Sequence, residues 1–134
     1  MTNFHSLYNH EFIRIASCVP RTKIADAPAN LAETVRLARQ GDECKAALMV
    51  FPELGLSAYA IEDLLFQDAL LTAVEEAIGQ LAEVSRGLFP VLVVGAPLRH
   101  ARGLFNAAVA IHRGSVLVRI ARWTPLQKTR SKNR

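Results

Sequence analysis

Two short apolar runs constrain this chain more than any other feature. Ala46 to Phe51 reads Ala-Ala-Leu-Met-Val-Phe and stops at Pro52, and Val91 to Val94 stops at Gly95 and Pro97. Apolar runs without alternation are what strands covered on both faces require, and such strands belong to sheets crossed by helices. Phe12 to Val19, rich in β-branched residues and closed by Pro20, reads as an earlier strand. Between it and the second strand, Asp26 is placed to cap a helix with Pro28 in its first turn. Leu31, Val35, Leu37 and Ala38 then recur at helical spacing up to Gly41.

A loop through Gly55 and Ser57–Ala60 precedes a long helical pattern from about Ile61 to Arg86. Leu64, Leu65, Leu70, Leu71, Val74, Ile78, Leu81 and Val84 form its apolar face. Phe105 to His112 and Ser115 to Ile120 read as two strands joined in a hairpin at Arg113-Gly114. The predicted order is β-α-β-α-β-β-β, an α/β fold with a mixed sheet and right-handed crossovers. Two helices so placed cover one face of the sheet. The other face is left seeking a partner, with Val50, Leu92 and Val93 too apolar to stay wet.

Composition narrows the class. The 134 residues are 51% hydrophobic and 21% charged, which excludes a disordered chain. No apolar run reaches the roughly 18 residues of a membrane span, and the start lacks the pattern of a secretory signal. Two cysteines, Cys18 and Cys44, are too few for a disulfide framework. The expectation is a soluble cytoplasmic protein with no membrane partner.

The net charge of +4 suggests nucleic acid until it is divided along the chain. Residues 1–117 hold 10 Lys/Arg against 12 Asp/Glu, whereas residues 118–134 hold six Lys/Arg and no acid. The body is slightly acidic and the tail alone is basic.

Among polar residues Glu53 stands out, because it follows a strand at the carboxyl edge of the sheet, where α/β folds bind ligands. Burial there would raise its affinity for a proton toward that of a general base; an ordinary exposed loop glutamate is the alternative. Cys18 lies within an apolar strand, as inert cysteines do, and Cys44 has no basic neighbour in sequence. His5, His10, His100 and His112 show no zinc-ligand spacing, so no metal is expected. No Gly-rich phosphate loop and no GxSxG elbow occur. Glu62 and Asp63 begin a helix, where the dipole alone favours acids.

Phe51-Pro52-Glu53-Leu54 followed by Leu56-Ser57-Ala58-Tyr59 resembles the first signature of the nitrilase superfamily, the carbon–nitrogen hydrolases. Val91–Pro97 and Phe105–Val109 follow in that family's order. Ser6-Leu7-Tyr8 with His10 and Phe12, and the stretch Tyr59–Asp68, are similar to the amidase domains of bacterial glutamine-dependent NAD+ synthetases, actinobacterial ones above all. The resemblance covers residues 3–117. It implies part of an α-β-β-α sandwich in which a Glu-Lys-Cys triad hydrolyses glutamine. Glu53 matches the general base of that triad. It further implies that ammonia passes to a separate synthetase domain that amidates an adenylated nicotinic acid dinucleotide, and that the parent proteins are homo-oligomers. No cofactor is implied for the amidase part; ATP and magnesium belong to the synthetase domain.

The match departs from the family at three places. The family lysine falls near position 122, where this chain has Arg122, whose planar fork is not interchangeable with lysine. The nucleophilic cysteine falls beyond residue 134, so no nucleophilic cysteine is expected in this chain. Ala58 replaces the usual glycine of the first signature. The reading is therefore a carbon–nitrogen hydrolase part over 1–117 and a departing basic tail over 118–134, arising from a shifted frame or a junction, catalytically incomplete as written. Two rivals are part of another nitrilase-type amidase, and a non-catalytic binding module whose tail, with Trp123 as a stacking group, binds nucleic acid.

Overall fold

The structure, a computed structural model, describes residues 3–59, 62–101 and 103–125. Its elements are β1 (Ile15–Ser17), α1 (Ala27–Glu43), β2 (Leu48–Val50), α2 (Asp68–Ser85), β3 (Val91–His100), β4 (Gly103–His112) and β5 (Ser115–Pro125). Two 3-10 turns, Leu7–His10 and Glu62–Phe66, precede β1 and α2. The predicted order of strands and helices holds throughout.

The five strands lie in chain order, β1-β2-β3-β4-β5. β1 to β3 are parallel, and β3, β4 and β5 are antiparallel neighbours, so the sheet is mixed as expected. Because the two parallel crossovers advance in one direction, right-handed connections put α1 and α2 on the same face. Met49, Leu92, Val94, Val109 and Ile111 point into that face and form one core with Leu31, Ala38, Val74, Ile78 and Leu81 of the helices. Leu92 has no exposed surface, which corrects its placement on the open face: alternation puts it under the helices and Val93 above.

The open face is apolar across its width. One row runs Ser17, Val50, Val93, Ala110 and Val118, and the next Gly95, Ala108 and Ile120. Val50 is 40% exposed and Ile120 63%. β2 is thus covered on one face only, not on both as its unbroken apolar run implied.

Each helix start follows from its sequence. Asp26 caps α1 by accepting from the Ala29 N–H at 3.0 Å, and Pro28 sits where no helical donor is needed. α2 is shorter than the predicted Ile61–Arg86 helix. Gln67 adopts extended angles (φ −79°, ψ 125°), which separates the 3-10 turn at Glu62–Phe66 from α2. At the new start, Asp68 pairs with Arg99 of β3.

The strands also depart from expectation. β1 is confined to the three residues that pair with β2; Phe12, Ile13 and Val19 lie beyond the ladder and exposed. β3 continues through Pro97 to His100. β2 has already ended there, so on that side β3 is an edge, where a missing N–H is tolerated. The β4–β5 hairpin turns at Arg113 (φ 50°) and Gly114 (φ 87°), as predicted, with the two positive φ angles of a type I′ turn. β5 runs past Ile120 to Pro125 and so crosses Leu117, where the charge changes. Residues 126–134 of the basic tail lie outside the described residues.

Candidate functional site

Glu53 follows β2 at the carboxyl end of the parallel strands, as the sequence indicates. The segment carrying it is a tight turn fixed from several sides. The Phe51 N–H bonds the Val93 carbonyl at 2.9 Å, and the Leu56 N–H bonds the Gly95 carbonyl at 3.1 Å. Within the turn, Gly55 N–H reaches the Pro52 carbonyl and Ser57 N–H the Leu54 carbonyl. Gly95 lets this turn lie on β3: a Cβ there would stand 2.5 Å from the Leu54 nitrogen and 2.9 Å from the Glu53 carbonyl carbon. Only glycine permits that approach.

The far side of the turn is tied to α1. Asn30, buried in the first part of the helix, donates from Nδ2 to the Leu56 carbonyl and to the Lys23 carbonyl, and accepts from the Lys23 N–H. The buried Ser57 hydroxyl is directed at the Leu54 carbonyl, and the Ser57 carbonyl accepts from Ala25 N–H. Among the described residues every buried side-chain nitrogen and oxygen has a partner. Leu54 and Ala58 both hold left-handed backbone angles, φ 53° and 69°. The glycine-like conformation at Ala58 is therefore kept although the glycine is not.

The Glu53 side chain is exposed, as the alternative reading had it, and lacks the burial that the sequence reading tied to a general base. Its Oε1 accepts a hydrogen bond from Asn106 Nδ2 on β4. Asn106 precedes the core residue Ala107, so its side chain projects on the open face, and the carboxylate is drawn over that face. Sequence reasoning quoted Ser57 and Asn106 within motifs but gave neither a role, and it passed over Asn30. A polar residue at an otherwise apolar helix position was the one available signal, and it applies to Asn30.

Neither cysteine shares this surface. Cys18 is buried in the core on the helix side of the sheet, and burial pushes its thiol above the usual range. Cys44 is exposed at the end of α1, at the opposite edge of the sheet from Glu53. The backbone of Arg122 lies in β5, in the bulged stretch between the Ala107–Ala121 and Phe105–Pro125 pairs; its side chain lies outside the described residues. His100 and His112 end β3 and β4 at opposite edges of the sheet, while His10 packs edge-on against Phe4. Among the described residues no three His, Cys, Asp or Glu side chains stand together as a cation would need. The donor set among the described residues does not fit magnesium. No helix among the described residues is long and apolar enough to cross a membrane.

The chain belongs to the carbon-nitrogen hydrolase family: residues 14–132 match it. Among relatives, it is 55% identical over 115 residues to the glutamine-dependent NAD(+) synthetase of Mycobacterium tuberculosis H37Rv and 48% identical over 115 residues to that of Mycobacterium leprae. These alignments take in 86% of this chain and 17% of each relative, so the chain spans about a sixth of their length. Solved structures of the same fold include a glutamine-dependent NAD(+) synthetase from Cytophaga hutchinsonii, with TM-score 0.76 and 21% identity over 82% of this chain and 19% of that one. An amidase from Nesterenkonia has TM-score 0.72 and 23% identity, over 82% of this chain and 42% of its own.

Proposed function

We propose that this chain is the base-bearing part of a glutamine-hydrolysing amidase domain of the NAD+ synthetase type. The observation that carries the reading is the Glu53 carboxylate, held over the uncovered sheet face by Asn106. The 55% identity to mycobacterial synthetases supports glutamine as the substrate over other amides.

The chemistry follows from the acid–base role. Glu53 takes the proton from a cysteine thiol, and the thiolate attacks the side-chain amide carbon of glutamine. A lysine ammonium stabilises the oxyanion of the tetrahedral intermediate. The carbon–nitrogen bond then breaks, Glu53 returns its proton to the leaving nitrogen, and ammonia departs from a thioester. Glu53 next takes a proton from water, whose attack on the thioester frees glutamate and the thiol. Cys18 cannot be that nucleophile, since its thiol lies in the core beneath the sheet, and Cys44 is at the wrong edge. These 134 residues therefore supply the base alone. The ammonia serves a separate synthetase domain.

Ammonia release from glutamine tests the reading, using this chain and a longer product in which residues 1–117 are continued by the rest of the Mycobacterium tuberculosis glutamine-dependent NAD(+) synthetase. The expected result is no release by the 134-residue chain, and release by the longer product that Glu53→Gln abolishes. Release by the short chain that depends on Glu53 overturns its incompleteness. Release by the longer product that survives Glu53→Gln overturns the role of Glu53.

A further inference from the structure

We propose that Asn106 is the positioning residue of Glu53, an inference that rests on the amidase reading above. A backbone contact and a side-chain hydrogen bond of the glutamate both refer to the same strand pair. Its backbone lies against Gly95 of β3, which faces Ala108; its side chain meets Asn106 of β4, which faces Pro97. Gly95 and Pro97 share one face of β3, as Ala108 and Asn106 share one face of β4. The turn and the carboxylate are thus referenced to adjacent rows of one rigid ladder.

The choice of residue matters chemically. Asn106 is held in the ladder by its pairing with Pro97 of β3, and on the β5 side it sits in the bulge between the Phe105–Pro125 and Ala107–Ala121 pairs. A side-chain amide orients a carboxylate through a neutral donor. Lysine or arginine at the same position would add a full charge and oppose the proton uptake a general base must perform. Leucine or alanine would offer the carboxylate no hydrogen bond from this position. Asparagine gives direction without an added charge.

Nuclear magnetic resonance of the 134-residue chain tests this directly, with the Asn106 side-chain amide followed from about pH 3 to about pH 8. The amide signals move as carboxylates ionise, and Glu53→Gln abolishes that movement. An Asn106 amide that stays still, or one that moves unchanged in Glu53→Gln, overturns the proposal. Should Glu53→Gln fail to fold, the carboxyl carbon of Glu53 is followed in Asn106→Ala instead; a titration identical to that of the unsubstituted chain overturns the proposal. A residue that merely tethers the turn would lower thermal stability in Asn106→Ala and leave that titration in place.

In the longer product described above, Asn106→Ala lowers kcat for glutamine by about 10- to 100-fold with KM within about twofold, and Asn106→Asp moves the acidic limb of the pH–rate profile upward. An Asn106→Ala product with unchanged kcat overturns the positioning role. A longer product that releases no ammonia even when unsubstituted sinks the amidase reading, while the amide titration still decides whether Asn106 holds Glu53.

Discussion

Ala58 shows how a family's glycine can be replaced without losing its backbone. Its φ of 69° costs an L-residue about 1–2 kcal/mol. Two terms oppose that cost. Alanine removes about 0.5–1 kcal/mol of unfolded-chain freedom relative to glycine, and its nearly buried methyl contributes about 0.8 kcal/mol. The terms nearly cancel, so Ala58→Gly is expected to change unfolding free energy by less than about 1 kcal/mol. Ala58→Val adds a β-branch to a left-handed, buried site and should cost about 2 kcal/mol or more. Urea unfolding of the two variants checks both numbers, and a valine variant as stable as the parent would show that the turn relaxes. At this scale the sequence was informative about Glu53 and silent about the role of Asn106. Glu53 ends a recognisable apolar run, whereas Asn106 acquires meaning only when β4 pairs with β3 and carries it under the Glu53 turn. That register, which sets Pro97 opposite Asn106, is not marked within either strand's own sequence.

At the scale of elements, the glycines of the sheet and of α2 have opposite consequences. Gly95→Ala drives a methyl into the backbone at Glu53 and Leu54, which cannot yield as a flexible side chain does. A loss of about 1–3 kcal/mol is expected, together with displacement of Glu53 from Asn106. Gly79 of α2 has nothing within 4 Å of where its Cβ would be. Gly79→Ala should therefore stabilise by about 0.8–1 kcal/mol through helix propensity alone. Thermal or urea unfolding of the pair distinguishes them by sign. The elements themselves were legible where chemistry marks their ends: Asp26 and Pro28 for α1, Arg113-Gly114 for the hairpin. They were misread where tertiary context intervenes. Pro97 ends a strand by local rules, yet β3 passes through it because β2 has already stopped. Leu64 and Leu65 continue a helical pattern, yet Gln67 turns the chain and the Arg99–Asp68 pair marks a new start.

For the molecule as a whole, one sheet face dominates what can be observed in solution. The rows through Val50, Val93 and Ala110, and through Ala108 and Ile120, form a wide apolar surface, and the helices cover only the reverse. Such a surface favours association of the 134-residue chain with itself. Sedimentation at up to about 100 μM should show a concentration-dependent increase in mass. Val50→Lys with Ile120→Lys should reduce it while the far-ultraviolet circular dichroism is kept. An unsubstituted chain that remains monomeric over this range would show that the face tolerates water.

The chain-order arrangement of the sheet has a temporal consequence. A ribosome releases residues from the amino end, at about 5–20 per second, and here every newly released strand has its neighbour already in place. β2 docks on β1, β3 on β2, and each later strand on the one before it, without waiting for a distant segment. The sheet can therefore grow at a single moving edge during synthesis, with β5 as its leading rim and the Glu53 turn already seated on Gly95 once β3 has joined.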